Sequence, residues 1–298
     1  MWPVIVEIPI PFTDLRAPIR SFGLMVVIAF LAATGLMRRL CEREKTATRD
    51  DLERLFFYEL FAVVLGSRAL YVLTSLGEFR GRWFDVIRID KGGMVMYGGL
   101  IAVVAVGLWY LRRRKLPVWR IADVGAVAGA LGLGIGRIGC LLVGDDYGAP
   151  CSADFPLGIK FPTPTAPGSL WGLTIPADNG NLAGRFQGVW LHPAQIYMSV
   201  NGFLMALALY TLWKRKRFHG QVLAAFILLK AVTRGVIEEF RGDEDRGFVS
   251  LGFWTPSTSQ FVGALTAVGA VVLWIVLSRR PELRVRDRAQ AAAPAEAA

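Results

Sequence analysis

The chain has 298 residues, of which 54% are hydrophobic and 19% are charged, and its formal net charge is +10. So large an apolar fraction with so few charges excludes an ordinary soluble domain of this length. The composition predicts an integral membrane protein.

Apolar runs of about 17 to 25 residues, the length that crosses roughly 30 Å of hydrocarbon as a helix, recur along the chain. We predict an all-α integral membrane protein with seven transmembrane helices, near residues 21–37, 55–75, 94–111, 121–143, 194–213, 221–239 and 257–277. Glu59 and Arg68 interrupt the second run. A cleaved signal peptide is the alternative for the first run, but Arg38 and Arg39 follow it directly, which favours an uncleaved span.

The Lys and Arg residues between the spans indicate the orientation. Segments 38–54, 112–120, 214–217 and 279–288 hold twenty of them, against ten in the alternate segments. Because cytoplasmic loops are enriched in Lys and Arg, this bias predicts an outside N-terminus and a cytoplasmic C-terminus. The positive charges are divided among four loops and form no single aromatic-laced patch, so no nucleic-acid partner is expected.

The predicted spans divide the chain into five parts. They are an extracytoplasmic segment 1–20, helices one to four in 21–143, an extracytoplasmic cap 144–192, helices five to seven in 193–278 and a cytoplasmic tail 279–298. Prolines, glycines and spaced apolar residues, Trp171 and Trp190 among them, predict that the cap is a small folded domain of irregular strands and turns. A linker without structure is the alternative.

The cysteines and histidines indicate neither a clear disulfide nor a metal site. Cys140 and Cys151 could pair in an oxidising compartment, although two separate thiols are the interpretation that we favour. The chain has only two histidines and neither a C-x-x-C nor an H-E-x-x-H motif. We therefore expect no metal and no cofactor.

Ionisable residues inside the predicted spans are the strongest functional signal. They are Glu59, Arg68, Asp123, Arg137, Lys230, Arg234, Glu238 and Glu239. A charge at the bilayer centre costs about 2.5 to 3.5 kcal/mol, so such residues face a polar interior or one another. Arg234, Glu238 and Arg241 share one helical face with alternating charge. Arg137 has only glycine and apolar neighbours before Asp145, so no acidic partner is close to it in sequence. Together with Arg234 it predicts a binding site for an anion, and lipid phosphate is the obvious ligand.

Several motifs in chain order resemble those of a known family. They are RSFGL (20–24), LGSRALYV (65–72), YGGLI (97–101), AD (122–123), the GRIG stretch with its glycine-closed end (136–148), HPAQIY (192–197) and RGVIEEFR (234–241). In this order they are similar to the motifs of the prolipoprotein diacylglyceryl transferases. The resemblance runs from about residue 20 to residue 277, which is nearly the whole chain.

The resemblance implies an enzyme of the bacterial cytoplasmic membrane. It would transfer the diacylglyceryl group of phosphatidylglycerol to the lipobox cysteine of a prolipoprotein and release glycerol phosphate. The expected catalytic residues are Arg137, Arg234 and Tyr97. The expected substrate-binding residues are Arg68, Gly98, Gly99, Asp123, Arg137, Cys140, Asp145, Gly148, His192, Glu238 and Arg241. The alternatives are a non-catalytic carrier or sensor of anionic lipid and, third, a transporter, although no internal duplication is evident.

The chain also departs from the family pattern. Cys140 and Leu141 stand where Asn-Phe is usual, and Asp145 stands for a glutamate. Met198 replaces the glutamate of the HPxQLYE motif. Tyr97 replaces a histidine, and because a phenol is a weaker base than an imidazole at neutral pH, it either donates a hydrogen bond, acts as an activated base, or only packs beside two glycines.

Overall fold

The computed structural model describes residues 4–9, 16–79, 81, 83–88, 92–160, 168–170, 173–175, 188–242 and 256–285. Seven α-helices form most of this part: α1 (Ser21–Glu44), α2 (Arg49–Thr74), α3 (Met96–Arg113), α4 (Val118–Val143), α5 (Ala194–Arg215), α6 (Gln221–Glu238) and α7 (Thr258–Ser278). Each predicted apolar run coincides with one of them, so the helical prediction is confirmed. The second run was predicted from residue 55, but α2 begins at Arg49 because Thr48 caps it by accepting a hydrogen bond from the Asp51 backbone.

Five helices of the described part are long and apolar enough to cross a membrane, namely α1, α2, α4, α5 and α7. The other two helices have only 18 residues each, so their charged residues fall within the apolar stretch itself. Helix α3 ends in Arg112 and Arg113, and α6 contains Lys230, Arg234 and Glu238. The chain is therefore a multi-pass helical membrane protein.

The chain divides into two compact units, residues 38–122 and a main unit of residues 1–37 and 123–298. In the 38–122 unit, α2 and α3 pack against each other. Glycine makes their approach close: a Cβ atom on Gly98 would overlap the carbonyl oxygen of Gly66, and one on Gly99 would overlap the hydroxyl of Ser67. Small residues at such a crossing let two helix backbones approach without a hydrophobic driving force.

In the main unit, α5 crosses α4 through a second glycine contact. A Cβ atom on Gly202 would lie 2.6 Å from the Cα atom of Gly134. The hydroxyl of Ser199 donates a hydrogen bond of 2.8 Å to the carbonyl of Gly134 at the same crossing. Helix α6 packs against both α5 and α7, so α4, α5, α6 and α7 follow one another in contact.

Asp123 fixes the start of α6. Its side chain is fully buried, and its carboxylate accepts hydrogen bonds from the backbone N–H groups of Gly220, Val222 and Leu223 at 2.9 to 3.0 Å. Lys216 adds an ion pair at 3.4 Å. A carboxylate at a helix N-terminus satisfies the free N–H groups and suits the helix dipole. The structure thus surrounds this residue, expected at a substrate site, with protein donors.

Short strands form two antiparallel sheets, both in the main unit. The first has the order β2 (Arg16–Arg20), β1 (Val4–Pro9), β5 (Leu173–Ile175) and β4 (Gly168–Leu170). The second pairs β3 (Ile159–Lys160) with β6 (Trp190–Leu191). The two strands of the N-terminal segment were not predicted, and one of them, β1, pairs with β5 of the expected cap. Residues 161–167, 171–172 and 176–187 of that cap, and the tail from 286, lie outside the described residues.

Candidate functional site

The C-terminal end of α4 positions Arg137. After Val143, Gly144 adopts a positive φ of 74°, and the backbone N–H of Asp145 donates to the carbonyl of Cys140 at 3.0 Å. This is the glycine-ended helix terminus expected of the GRIG stretch, since glycine adopts the left-handed conformation without steric cost. Asp146 also has a positive φ, 53°. The tight turn directs the side chain of Asp146 back toward the helix.

Asp146 holds two arginines. One carboxylate oxygen, Oδ2, pairs with Nη1 of Arg137, and the other, Oδ1, accepts from Nη2 of Arg241 at 2.7 Å. A local strand pairing brings the second arginine here: Gly148 forms an antiparallel bridge with Arg241, and the N–H of Ala149 donates to the carbonyl of Phe240 at 2.9 Å. A single carboxylate therefore fixes two guanidinium groups from different parts of the chain.

Glu238 holds the third arginine of the site. Its Oε2 pairs with Nη2 of Arg234 at 3.0 Å, one turn earlier in α6, and its Oε1 accepts from the hydroxyl of Ser257 at 3.4 Å. Sequence spacing predicted a ladder of Arg234, Glu238 and Arg241 along one helix. Because α6 ends at Glu238, Arg241 leaves the helical spacing and reaches Asp146 instead.

A narrow cleft between α4, α5 and α6 is lined by two of these groups, Arg137 and Arg234. It is lined by Leu133, Arg137, Met198, Asn201, Gly202, Met205, Lys230, Thr233, Arg234 and Ile237. The three charged residues of the lining are all cationic, and most of the remaining lining is apolar. The free volume of the cleft is only about 10 Å³, the space of a single water molecule, so the cleft does not enclose a lipid and what it offers is guanidinium donors to an anionic group.

The HPAQIY stretch at the start of α5 contacts the turn after α4 and stabilises it. Gln195 is fully buried, and its side-chain amide donates to the carbonyl of Asp145 at 2.8 Å. His192 lies with Nδ1 3.4 Å from the Tyr197 hydroxyl and packs edge-on against the rings of Phe155 and Phe240. A Cβ atom on Gly148 would overlap the carbonyl of His192. His192 and Gly148 thus contact each other as part of the support of the turn.

The predicted residues Cys140 and Asp145 take different places at this turn. The thiol of Cys140 lies 3.8 Å from Nη1 of Arg137 and 3.7 Å from the carboxylate of Asp146, and all three cysteines are free thiols. The side chain of Asp145 is exposed and accepts from the N–H of Asp146. Sequence reasoning missed Asp146, because two adjacent aspartates after a helix-ending glycine do not reveal which one faces back.

The 38–122 unit contains four predicted site residues, Arg68, Tyr97, Gly98 and Gly99. The guanidinium of Arg68, in a residue only 7% exposed, donates to backbone carbonyls of Val86, Gly92, Gly93 and Asp85. Tyr97 lies in the first turn of α3 and is 51% exposed. Gly98 and Gly99 form the close contact with α2, which agrees with the packing alternative for those two positions.

A family model described as prolipoprotein diacylglyceryl transferase matches residues 9–276. The chain belongs to this family. A phosphatidylglycerol–prolipoprotein diacylglyceryl transferase of Verminephrobacter eiseniae is 31% identical over 268 residues, covering 85% of this chain and 88% of the relative. Proteins of the same name from Geobacter sulfurreducens and Desulfotalea psychrophila are 30% and 32% identical over 265 and 241 residues. These alignments cover 88% and 78% of this chain, and 92% and 80% of the two relatives.

The match to the prolipoprotein diacylglyceryl transferases confirms the family recognised from the sequence motifs. It includes most of every helix and the whole arrangement of Arg137, Asp146, Arg234, Glu238 and Arg241. The candidate site therefore lies in the part of the chain that the family shares.

Proposed function

We propose that this chain transfers the diacylglyceryl group of phosphatidylglycerol to the thiol of the lipobox cysteine of prolipoproteins, the first step of bacterial lipoprotein maturation. Family membership supports the reaction class. The observation that carries the assignment of the site is the cleft in which Arg137 and Arg234 lie together, each paired with one carboxylate and both facing a largely apolar lining.

The arginines suit the lipid phosphate. A guanidinium donates two parallel hydrogen bonds to phosphate oxygens and keeps its charge in apolar surroundings, so Arg137 and Arg234 are proposed to bind the phosphodiester of the lipid. Asp146 and Glu238 hold the two guanidinium groups in position by direct ion pairs. Fixed donors of this kind need little reorganisation when charge develops in the reaction.

The reaction forms one bond and breaks one. The cysteine sulfur attacks the carbon of the diacylated glycerol that is bonded to the phosphate, and a sulfur–carbon bond forms. The bond from this carbon to the phosphate oxygen breaks, and its electron pair stays on that oxygen. Glycerol phosphate leaves, and the thiol proton passes to water. Positive charge near the incoming thiol favours its thiolate form, and the same charge stabilises the leaving phosphate, so the two arginines are proposed to serve both needs.

The proposed membrane topology completes this function. Seven helices cross the inner membrane with the N-terminus outside, and residues 144–192 form a cap on the outer face, where an exported peptide arrives. The charge bias of the loops supports this orientation. Arg137 lies near the end of α4 that leads into residues 144–192, which is the outer end in this topology. A role for Tyr97 in catalysis rests on the family resemblance alone.

Reconstitution tests the proposed function. The purified protein, in vesicles that contain phosphatidylglycerol, is mixed with a lipobox-cysteine peptide, and the peptide mass and released glycerol phosphate are followed with time. We expect a mass gain equal to one diacylglyceryl group and an equimolar release of glycerol phosphate. A Cys→Ser peptide and vesicles of phosphatidylcholine alone are the controls and should show neither. Binding of phosphatidylglycerol without any mass gain would instead support the carrier or sensor.

A further inference from the structure

Lys230 is the one cation of the cleft whose side chain has no partner in the described part of the chain. Arg137 pairs with Asp146, and Arg234 pairs with Glu238. The ammonium of Lys230 forms neither an ion pair nor a hydrogen bond with any described residue, although it lies in the same cleft, one helical turn before Arg234.

The position of this ammonium is unfavourable unless an anion joins it. A lysine within an apolar helix costs free energy, and two guanidinium groups of the same sign in one cleft add repulsion. Met198, the cleft residue that replaces the glutamate of the family motif, offers it no negative charge. Asp146 and Glu238 bring two negative charges to four cations, namely Arg137, Arg234, Arg241 and Lys230, so positive charge remains uncompensated among these six groups.

The proposed reaction changes the charge of the phosphate. In phosphatidylglycerol the phosphodiester carries a single negative charge, whereas a phosphate monoester carries about −1.5 to −2 at pH 7. The additional charge appears on the oxygen that leaves as the carbon–oxygen bond breaks. Resting on the proposed function, we propose that Lys230 is a catalytic residue that donates a hydrogen bond to this oxygen and balances its developing charge.

This role has a kinetic signature. An interaction that becomes stronger in the transition state raises kcat, whereas one made equally to the bound lipid lowers KM. Lys230 meets a charge that the bound lipid does not yet carry, so its loss lowers kcat and leaves KM for phosphatidylglycerol nearly unchanged. The released monoester retains the added charge, so Lys230 also strengthens inhibition by glycerol phosphate.

The test compares Lys230→Met, Lys230→Arg and the control Leu229→Met, which changes the neighbouring residue outside the cleft. We expect Lys230→Met to lower kcat roughly 10- to 100-fold with KM within about twofold of the wild type, the scale of one lost hydrogen bond to a charged group. Lys230→Arg should recover most of kcat because it restores the charge, and Leu229→Met should equal the wild type. The same proteins are titrated with two inhibitors, glycerol phosphate and the singly charged diester glycerophosphoglycerol.

In the wild type, glycerol phosphate should inhibit about tenfold more strongly than the diester, since one charge-assisted hydrogen bond is worth this much. The preference should vanish in Lys230→Met. A raised KM with unchanged kcat, or an unchanged Lys230→Met enzyme, would overturn the proposal. If Lys230→Met fails to fold, the test is the comparison of the two inhibitors on the wild type. Equal inhibition by glycerol phosphate and the diester would then overturn the proposal. A wild type that transfers no diacylglyceryl group in the reconstituted assay would refute the proposed function itself. That result is distinct from a failure of the Lys230 proposal, because it does not depend on any variant.

Discussion

Two arginines of this chain, the buried Arg68 and the half-buried Arg137, have opposite surroundings. Arg68 donates to four backbone carbonyls, and its guanidinium lies 5.4 and 5.5 Å from the ring centroids of Tyr71 and Phe79. Arg137 pairs with one carboxylate and lines a cleft. A guanidinium whose N–H groups donate to several backbone carbonyls fixes a loop. A guanidinium that is paired with one carboxylate has further N–H groups that can donate to a ligand. The sequence motifs alone do not separate these two tasks.

The largest effect is expected for Arg137. Arg137→Ala should lower the transfer rate about 100- to 1,000-fold while the protein still inserts, the scale of one lost electrostatic donor. Arg137→Lys should also be impaired, because an ammonium lacks the planar fork that meets a phosphate. Rates are measured on protein whose folding is checked by thermal unfolding in detergent. A near-normal transfer rate of a folded Arg137→Ala protein would contradict the proposal that Arg137 binds the lipid phosphate.

Asp146 and Asp145 provide a matched pair at adjacent positions. Asp146→Asn leaves Arg137 and Arg241 without their shared carboxylate, so we expect kcat/KM to fall roughly 10- to 100-fold and the unfolding temperature to decrease. Asp145→Asn changes an exposed side chain and should stay within about twofold of the wild type. The comparison uses initial rates and unfolding midpoints of both variants. The opposite ranking would show that Asp145, the position suggested by the resemblance, carries the role.

Tyr97→Phe should have a moderate effect. Loss of one hydrogen bond of about 1.4 kcal/mol predicts a rate roughly tenfold lower, with an unchanged pH profile. The measurement is kcat/KM across the pH range for both proteins. A decrease of about a thousandfold together with loss of the basic limb would make Tyr97 the base. Activity equal to the wild type would leave it as packing beside Gly98 and Gly99.

The smallest effect on catalysis is expected for Arg68. Arg68→Met removes donors to several backbone carbonyls, so unsatisfied groups should lower the unfolding midpoint by about 5 °C. Activity per folded molecule should stay within about threefold of the wild type, because these donors hold a loop of the 38–122 unit. A fully stable Arg68→Met protein with no activity would make Arg68 a ligand residue and end the contrast with Arg137.

The helices and the end of α4 could be predicted from the sequence because their signals are local. Apolar runs of membrane length marked all seven helices, and Gly144 marked where α4 ends. The spacing of Arg234 and Glu238 likewise predicted their ion pair, since residues four apart in a helix share a face. Each of these features depends on neighbours within a few residues.

The remaining features depend on contacts between distant segments. Asp146 meets Arg241 only because a short strand pairing joins the end of α4 to the end of α6. Asp123 reaches the start of α6 across nearly one hundred residues of sequence. Strand β1 at the N-terminus pairs with residues 173–175, and no local pattern specifies such a partner. Sequence spacing cannot reveal which distant backbone a side chain meets.

Binding of phosphatidylglycerol tests the contrast between the two arginines most directly. Short-chain phosphatidylglycerol is titrated by calorimetry into the detergent-solubilised wild type, Arg137→Ala and Arg68→Met, without any peptide. We expect Arg68→Met to bind within about threefold of the wild type and Arg137→Ala to bind at least tenfold more weakly, the cost of a lost charge-assisted hydrogen bond. Equal affinity of Arg137→Ala and the wild type, or a loss confined to a folded Arg68→Met protein, would contradict a phosphate site at Arg137.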